Sequence, residues 1–296
     1  MKFTKLALSL TAALVAGAAA HPASAQTLIN SCREFTQPGT YELTMDLSGK
    51  SYDGITCFRF KVSNVTLDLG GHTVRGFNGS PQSGVTSNGS VLLGLKVRNG
   101  NVSDFTVGVN LEGTFGAAVE NLEVNVNKDV GLKAGNGAII QHVKAIQNRN
   151  QGVTAGAGSF INDLHLESSG SDGLRVGLGS WVMNSWSEFN AGYGIVLDRT
   201  LVGTAYSIFS NTTGANGKGG ISADCTGGGP LPSDPGRLAL SVVGNTNDPL
   251  FPNHGPHIVA NVPVVRTFTS TNGTQYVAQY CQVLQLDAVI HKSDDH

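Results

Sequence analysis

The apolar positions of this chain come in pairs with one residue between them, and the pairs come in threes. After Gly131 they are Leu132 and Ala134, Ala138 and Ile140, then Val143 and Ala145. After Gly152 they are Val153 and Ala155, Ser159 and Ile161, then Leu164 and Leu166. A spacing of two is the period of a strand, so each cycle predicts three short strands and no helix. A small polar residue closes each cycle, at Asn127, Asn148, Ser169 and Asn190, and Asn211 continues the same step. Gly131, Gly152, Gly173 and Gly194 open successive cycles 21 residues apart, with looser copies at Gly84, Gly108 and Gly220.

A fixed period of this length marks a solenoid, in which each repeat buries its apolar side only against its neighbours. Stacked at a tight corner, each Asn amide can hydrogen-bond the next; Ser169 keeps only part of such a ladder. The glycine phrase, the paired strands and the Asn series resemble right-handed parallel β-helix proteins with short PbH1-type repeats, of the pectate-lyase-like superfamily. The resemblance covers roughly residues 39–222 and includes Asn64 to Gly76 (N-V-T-L-D-L-G-G-H-T-V-R-G), which looks like the first full coil of many secreted members. It implies an all-β, single-stranded right-handed parallel β-helix of about seven to nine coils. It names no reaction, because lyases, hydrolases, epimerases and proteins without assigned activity share this fold.

Residues 1–25 read as a secretory signal: Lys2 and Lys5, an apolar run from Leu6 to Ala20, and the small-residue site Ala23-Ser24-Ala25 before Gln26. That run is short for a membrane span, and no later stretch is long enough to be one. The expected location is therefore a bacterial periplasm or the exterior. Residues 26–222 form the β-helix by this reading, and 223–296 a C-terminal cap or flanking segment ending in a disordered tail. Within the latter, Ile258–Thr269 and Gln275–Leu286 read as an antiparallel pair around Thr271-Asn272-Gly273.

Four cysteines flank the predicted solenoid, Cys32 and Cys57 before it, Cys225 and Cys281 after it. Four allow three pairings; Cys32 with Cys57 and Cys225 with Cys281 would staple one end each in an oxidising compartment. Free buried thiols are the other reading. Charged residues make up 14% of the chain against roughly 25% in ordinary domains, and the net charge is −2. With no basic stripe, nucleic acid is not an expected partner.

Against that charge-poor background, one outward face stands out. Adding 21 along the third burst gives the row Glu123, Lys144, His165, Trp186 and Ser207. Beside it run Asn121, His142, Asp163, Asn184 and Ala205 on one flank, and Asn125, Ile146, Glu167, Glu188 and Phe209 on the other. An acid, a base, hydrogen-bonding groups and an aromatic face are what a sugar-polymer site needs. On a uronate polymer, β-elimination or C5 epimerisation would take Lys144 or His165 as base. Trp186, His142, Glu123 and Glu188 would hold the ligand. Asp163 and Glu167, with Glu123, would supply oxygen ligands for calcium, in residue types similar to superfamily lyases that combine calcium with a basic side chain. A polar outward face also arises merely because it meets water, and opposite charges on adjacent coils support stacking slightly.

A second outward row, Ile139, Phe160, Trp181 and Val202, is apolar and calls for a cover or a partner. Lys133 and Arg175 line the first burst with Thr154 between them. His72 reads as part of the turn ending the first coil, because neither the Gly-His-Gly of polygalacturonases nor the paired aspartates of hydrolysis are present. The Asp-Pro-His of mannuronan epimerases and the Arg-x-Pro-x-x-Arg of pectate lyases are absent too. Two functions stay open: recognition, with or without lyase- or epimerase-like modification, of an acidic polysaccharide, and a non-catalytic envelope or surface scaffold.

Overall fold

The computed structural model describes residues 26–77, 82–198, 205–223 and 254, and the backbone strands 239–243, 246–247, 258–269 and 275–286. It is a parallel β-helix of about eight turns, right-handed as parallel crossovers are. Among the described residues its strands stack into a 15-stranded and an 11-stranded sheet. Each pairing between coils is parallel. The first and third bursts lie on opposite sheets, so inward side chains meet in one core from Phe35 through Val97, Leu132, Ile161 and Leu174 to Ile221, each 1% exposed or less.

The bursts resolve into fewer strands than their number suggests. In the central coils the second and third bursts are one continuous strand: Ala118–Asn125, Ile139–Ile146 and Phe160–Glu167. In the next coil they part, as Trp181–Met183 and Trp186–Glu188, and in the first coils Val65–Asp68 and Thr73–Arg75 are likewise separate strands. The fused strand bends at one left-handed residue per coil, Asn121, His142, Asp163 and Asn184, with φ between 50° and 56°. Asn, Asp and His are the non-glycine types that tolerate this region best. The flank beside the candidate row is thus a row of corners.

The repeated glycines have a steric cause. A Cβ on Gly131 would lie 2.6 Å from the Gly152 carbonyl oxygen and 2.8 Å from the Asn148 amide nitrogen; Gly152 and Gly173 meet the next coil in the same way. The glycine therefore makes room for the polar ladder beside it. Asn127 donates its side-chain N–H to Asn148 Oδ1 at 3.0 Å, and its backbone N–H to the same oxygen at 3.1 Å. Asn190 repeats the arrangement with Asn216 at 2.9 Å. At Ser169 the backbone N–H still reaches Asn190 Oδ1 at 2.9 Å, but the hydroxyl is buried without a partner.

Two expectations need correction. The coil after Asn190 is longer by five residues, so the ladder runs to Asn216, while Asn211 accepts from Ser185 N–H at another corner. For the same reason Trp186 faces Thr212 and Trp181 faces Ser207, not the positions 21 residues on. Thr27–Ile29 and Arg33–Phe35 pair in parallel with the coils above. Cys32 and Cys57 are bonded, and they join the first two coils within the solenoid instead of preceding it. Cys225 lies outside the described residues, and of Cys281 only the backbone is described. Residues 1–25 and Val202 also lie outside them.

Ile258–Thr269 and Gln275–Leu286 do form an antiparallel pair, and the former continues the smaller sheet from Gly219–Ala223. No helix of the described residues is long and apolar enough to cross a membrane.

Candidate functional site

Parallel pairing in unbroken register sets Glu123 beside Lys144, Lys144 beside His165, and His165 beside Trp186. Their side chains point outward because Leu122, Val143 and Leu164 on one side, and Val124, Ala145 and Leu166 on the other, point into the core. The rigid sheet, not a loop, holds the row.

Lys144 Nζ lies 3.4 Å from Glu123 Oε1. Asn101 donates to the other oxygen of Glu123 at 3.2 Å, and Asn125 at 3.4 Å. One coil on, the His165 and Trp186 rings are parallel within 9°, with centroids 5.9 Å apart, the offset-stacked arrangement that ring quadrupoles favour. Trp186 is 45% exposed, so the stack has a free edge toward solvent.

Behind the stack lie two carboxylates. Glu167 and Glu188 are direct neighbours on adjacent strands, and Glu188 is buried. His165 Nε2 is 3.3 Å from Glu167 Oε2. That separation is within ion-pair range, yet the nitrogen has no solvent contact and no aligned hydrogen-bond partner. Among the described residues, His165, Glu167 and Glu188 are the group of three whose ligand atoms lie within 4.8 Å of one another.

The oxygen set expected for calcium is not gathered. Glu123 is engaged with Lys144 and Asn101, and Asp163 sits at its corner with Oδ2 2.6 Å from His142 Nδ1. Asp163 and Glu167 therefore lie in different groups. His142 and Asp163 are both more than half exposed and form a pair of their own, flanked by the Asn184 side-chain N–H donating to Asn162 Oδ1 at 2.9 Å.

Two further features escape a reading by bursts. On the smaller sheet, a groove of about 280 Å³ is lined by Glu112, Lys133, Asn136 and Thr154 over a floor of glycine and alanine. Its signal in sequence is the run of small residues at Ala134-Gly135 and Ala155-Gly156. In the first coils, His72 Nδ1 lies 3.2 Å from Asp46 Oδ1, and the Thr73 N–H donates to the same oxygen at 2.9 Å. That N–H, and then His72, hold the Asp46 carboxyl below its ordinary range. Burial alone would raise Asp53, but the Ile55 and Thr56 N–H groups and the Arg59 guanidinium outweigh it and hold that carboxyl low as well. Both serve turns of the N-terminal coils.

No family model and no curated protein matches the chain. Among solved structures it is similar to the A-module of the mannuronan C-5 epimerase AlgE4 of Azotobacter vinelandii. The identity is 12%, the TM-score 0.32, and the match covers 80% of this chain and 81% of that one. At that distance the likeness carries nothing about chemistry, and the β-helix stands on its own strand pairing.

Proposed function

We propose that this chain is an exported β-helix protein that lays an acidic polysaccharide across the Glu123–Lys144–His165–Trp186 row. The observation that carries the reading is the parallel His165–Trp186 stack with its exposed edge, one coil from an ammonium group. An aromatic face packs on the apolar side of a sugar ring, and Lys144 offers donors to a sugar carboxylate. Glu123 and the His142–Asp163 pair accept or donate to hydroxyl groups. Modification of the bound chain, by β-elimination or C5 epimerisation, would fall to Lys144 or His165 as base.

The test is a binding titration of uronate against neutral polysaccharides, paired with a screen for new unsaturated ends. The expected outcome is preferential uronate binding that weakens about tenfold or more in Trp186→Ala and in Lys144→Ala. Equal binding by wild type and both variants would overturn the reading. Unsaturated ends that vanish in Lys144→Ala would add lyase activity. The export part is checked separately by sequencing the mature N-terminus, which should begin at Gln26.

A second reading rests on a different observation. Ile139 and Trp181 are 42% and 51% exposed, with Phe160 between them in register. A strip of this kind suits a rigid scaffold that docks another envelope component. Loss of partner capture, but not of glycan binding, in Trp181→Ala would favour it.

A further inference from the structure

We propose that His165, Glu167 and Glu188 form a binding site for a divalent transition metal of the zinc class. The three side chains sit on two adjacent strands of a continuous sheet, Phe160–Glu167 and Trp186–Glu188, so their spacing is fixed by backbone pairing. Zinc bonds of 2.0–2.2 Å to nitrogen and oxygen place tetrahedral ligand atoms roughly 3.3 Å apart. The His165 Nε2 to Glu167 Oε2 distance is 3.3 Å. The other separations lie within 4.8 Å, wider than tetrahedral ligand spacing, so a bound ion would draw the glutamate side chains inward.

Two independent observations point to an occupant. His165 Nε2 is inaccessible to solvent and has no aligned hydrogen-bond partner, which leaves its lone pair available to a metal in the matching tautomer. Two carboxylates, one of them buried, stand directly opposite each other across the strand pair. Facing carboxylates concentrate negative charge at one point of the sheet, which favours a shared cation. Trp186 stacks on the imidazole and holds its plane.

The ligand types choose the metal. Calcium takes six to eight oxygens, whereas an imidazole nitrogen with two carboxylates suits zinc and its neighbours. Three protein ligands leave a coordination position open, the arrangement of zinc sites that act on a bound molecule. The site shares His165 with the saccharide row, and with His165 bound to metal the role of base falls to Lys144; the metal is therefore tested without saccharide.

The full chain, stripped with chelator, is titrated with zinc and, separately, with calcium, in the absence of saccharide. Bound metal is counted after desalting, and cobalt serves as a spectroscopic substitute. The expected result is a single zinc per chain, weakened by about tenfold or more in His165→Gln and in Glu167→Gln and unchanged in Lys144→Ala. Both ligand variants lie on the partly exposed face, and circular dichroism confirms their fold. Failure to retain zinc overturns the proposal, as does equal retention by both ligand variants, which would mark adventitious surface binding. Calcium binding to this group in place of zinc overturns it too.

Discussion

At Gly152 a single methyl group decides whether two coils can stack. Its Cβ would meet the Gly173 carbonyl oxygen at 2.7 Å and the Ser169 hydroxyl at 3.0 Å. Backbone cannot rotate away as a side chain can, so Gly152→Ala should cost about 1–3 kcal/mol in a denaturant titration. An equivalent change at Gly158, where nothing lies near the missing Cβ but φ is +69°, should act through backbone strain alone. Asp53 gives a residue-scale effect of another kind. Its folded carboxyl is held below the unfolded value, so its stabilisation is present above about pH 4 and fades as pH falls through the folded value. Asp53→Asn should therefore be less stable than wild type near neutrality, and the two unfolding curves should converge on acidification. A constant gap down to the lowest pH would contradict this.

The coil is the unit in which the chain tolerates change. Removing residues 132–152 deletes one full period and joins positions that already share a register. Each inward side chain then keeps an inward neighbour, so a shorter β-helix should still fold and unfold cooperatively. Removing 133–152 instead shifts the following strand by one residue. Because side chains alternate across a strand, that slip turns the apolar set outward. Circular dichroism and proteolysis should show a folded product from the first deletion and none from the second. The comparison also tests the polar ladder, since the full-period deletion sets Asn127 directly on Ser169.

For the whole molecule, the solenoid converts a sequence period into a ruler. Strands lie roughly 4.8 Å apart, so Glu123, Lys144, His165 and Trp186 form a linear array along the axis. A polymer bound along that array should gain affinity with each added sugar until it spans the row and then level off. A plateau reached at the monosaccharide would contradict an extended site. Oligosaccharides of graded length in a calorimetric titration make the distinction.

The period of two, the 21-residue step and the glycine–asparagine pairing were sufficient to fix a stacked β-coil. Each of these patterns reflects a contact made again at every coil. The repeats also named the outward rows, because strand alternation leaves only two faces. They failed where the coil length changed: Asn211 and Ser207 were placed by a constant step across a 26-residue coil. They also could not tell a corner from a strand, so the fusion of two bursts at Asn121, His142 and Asp163 was hidden. The constant step already set His142 beside Asp163 as a cross-strand hydrogen bond, and they are bonded; only the tertiary structure gathered Glu167 and Glu188 at His165. Register brings backbones level, but rotamers and burial choose which side chains meet. Sequence periodicity determines which residues share a face, whereas distances of a few ångströms between side chains determine what that face can hold.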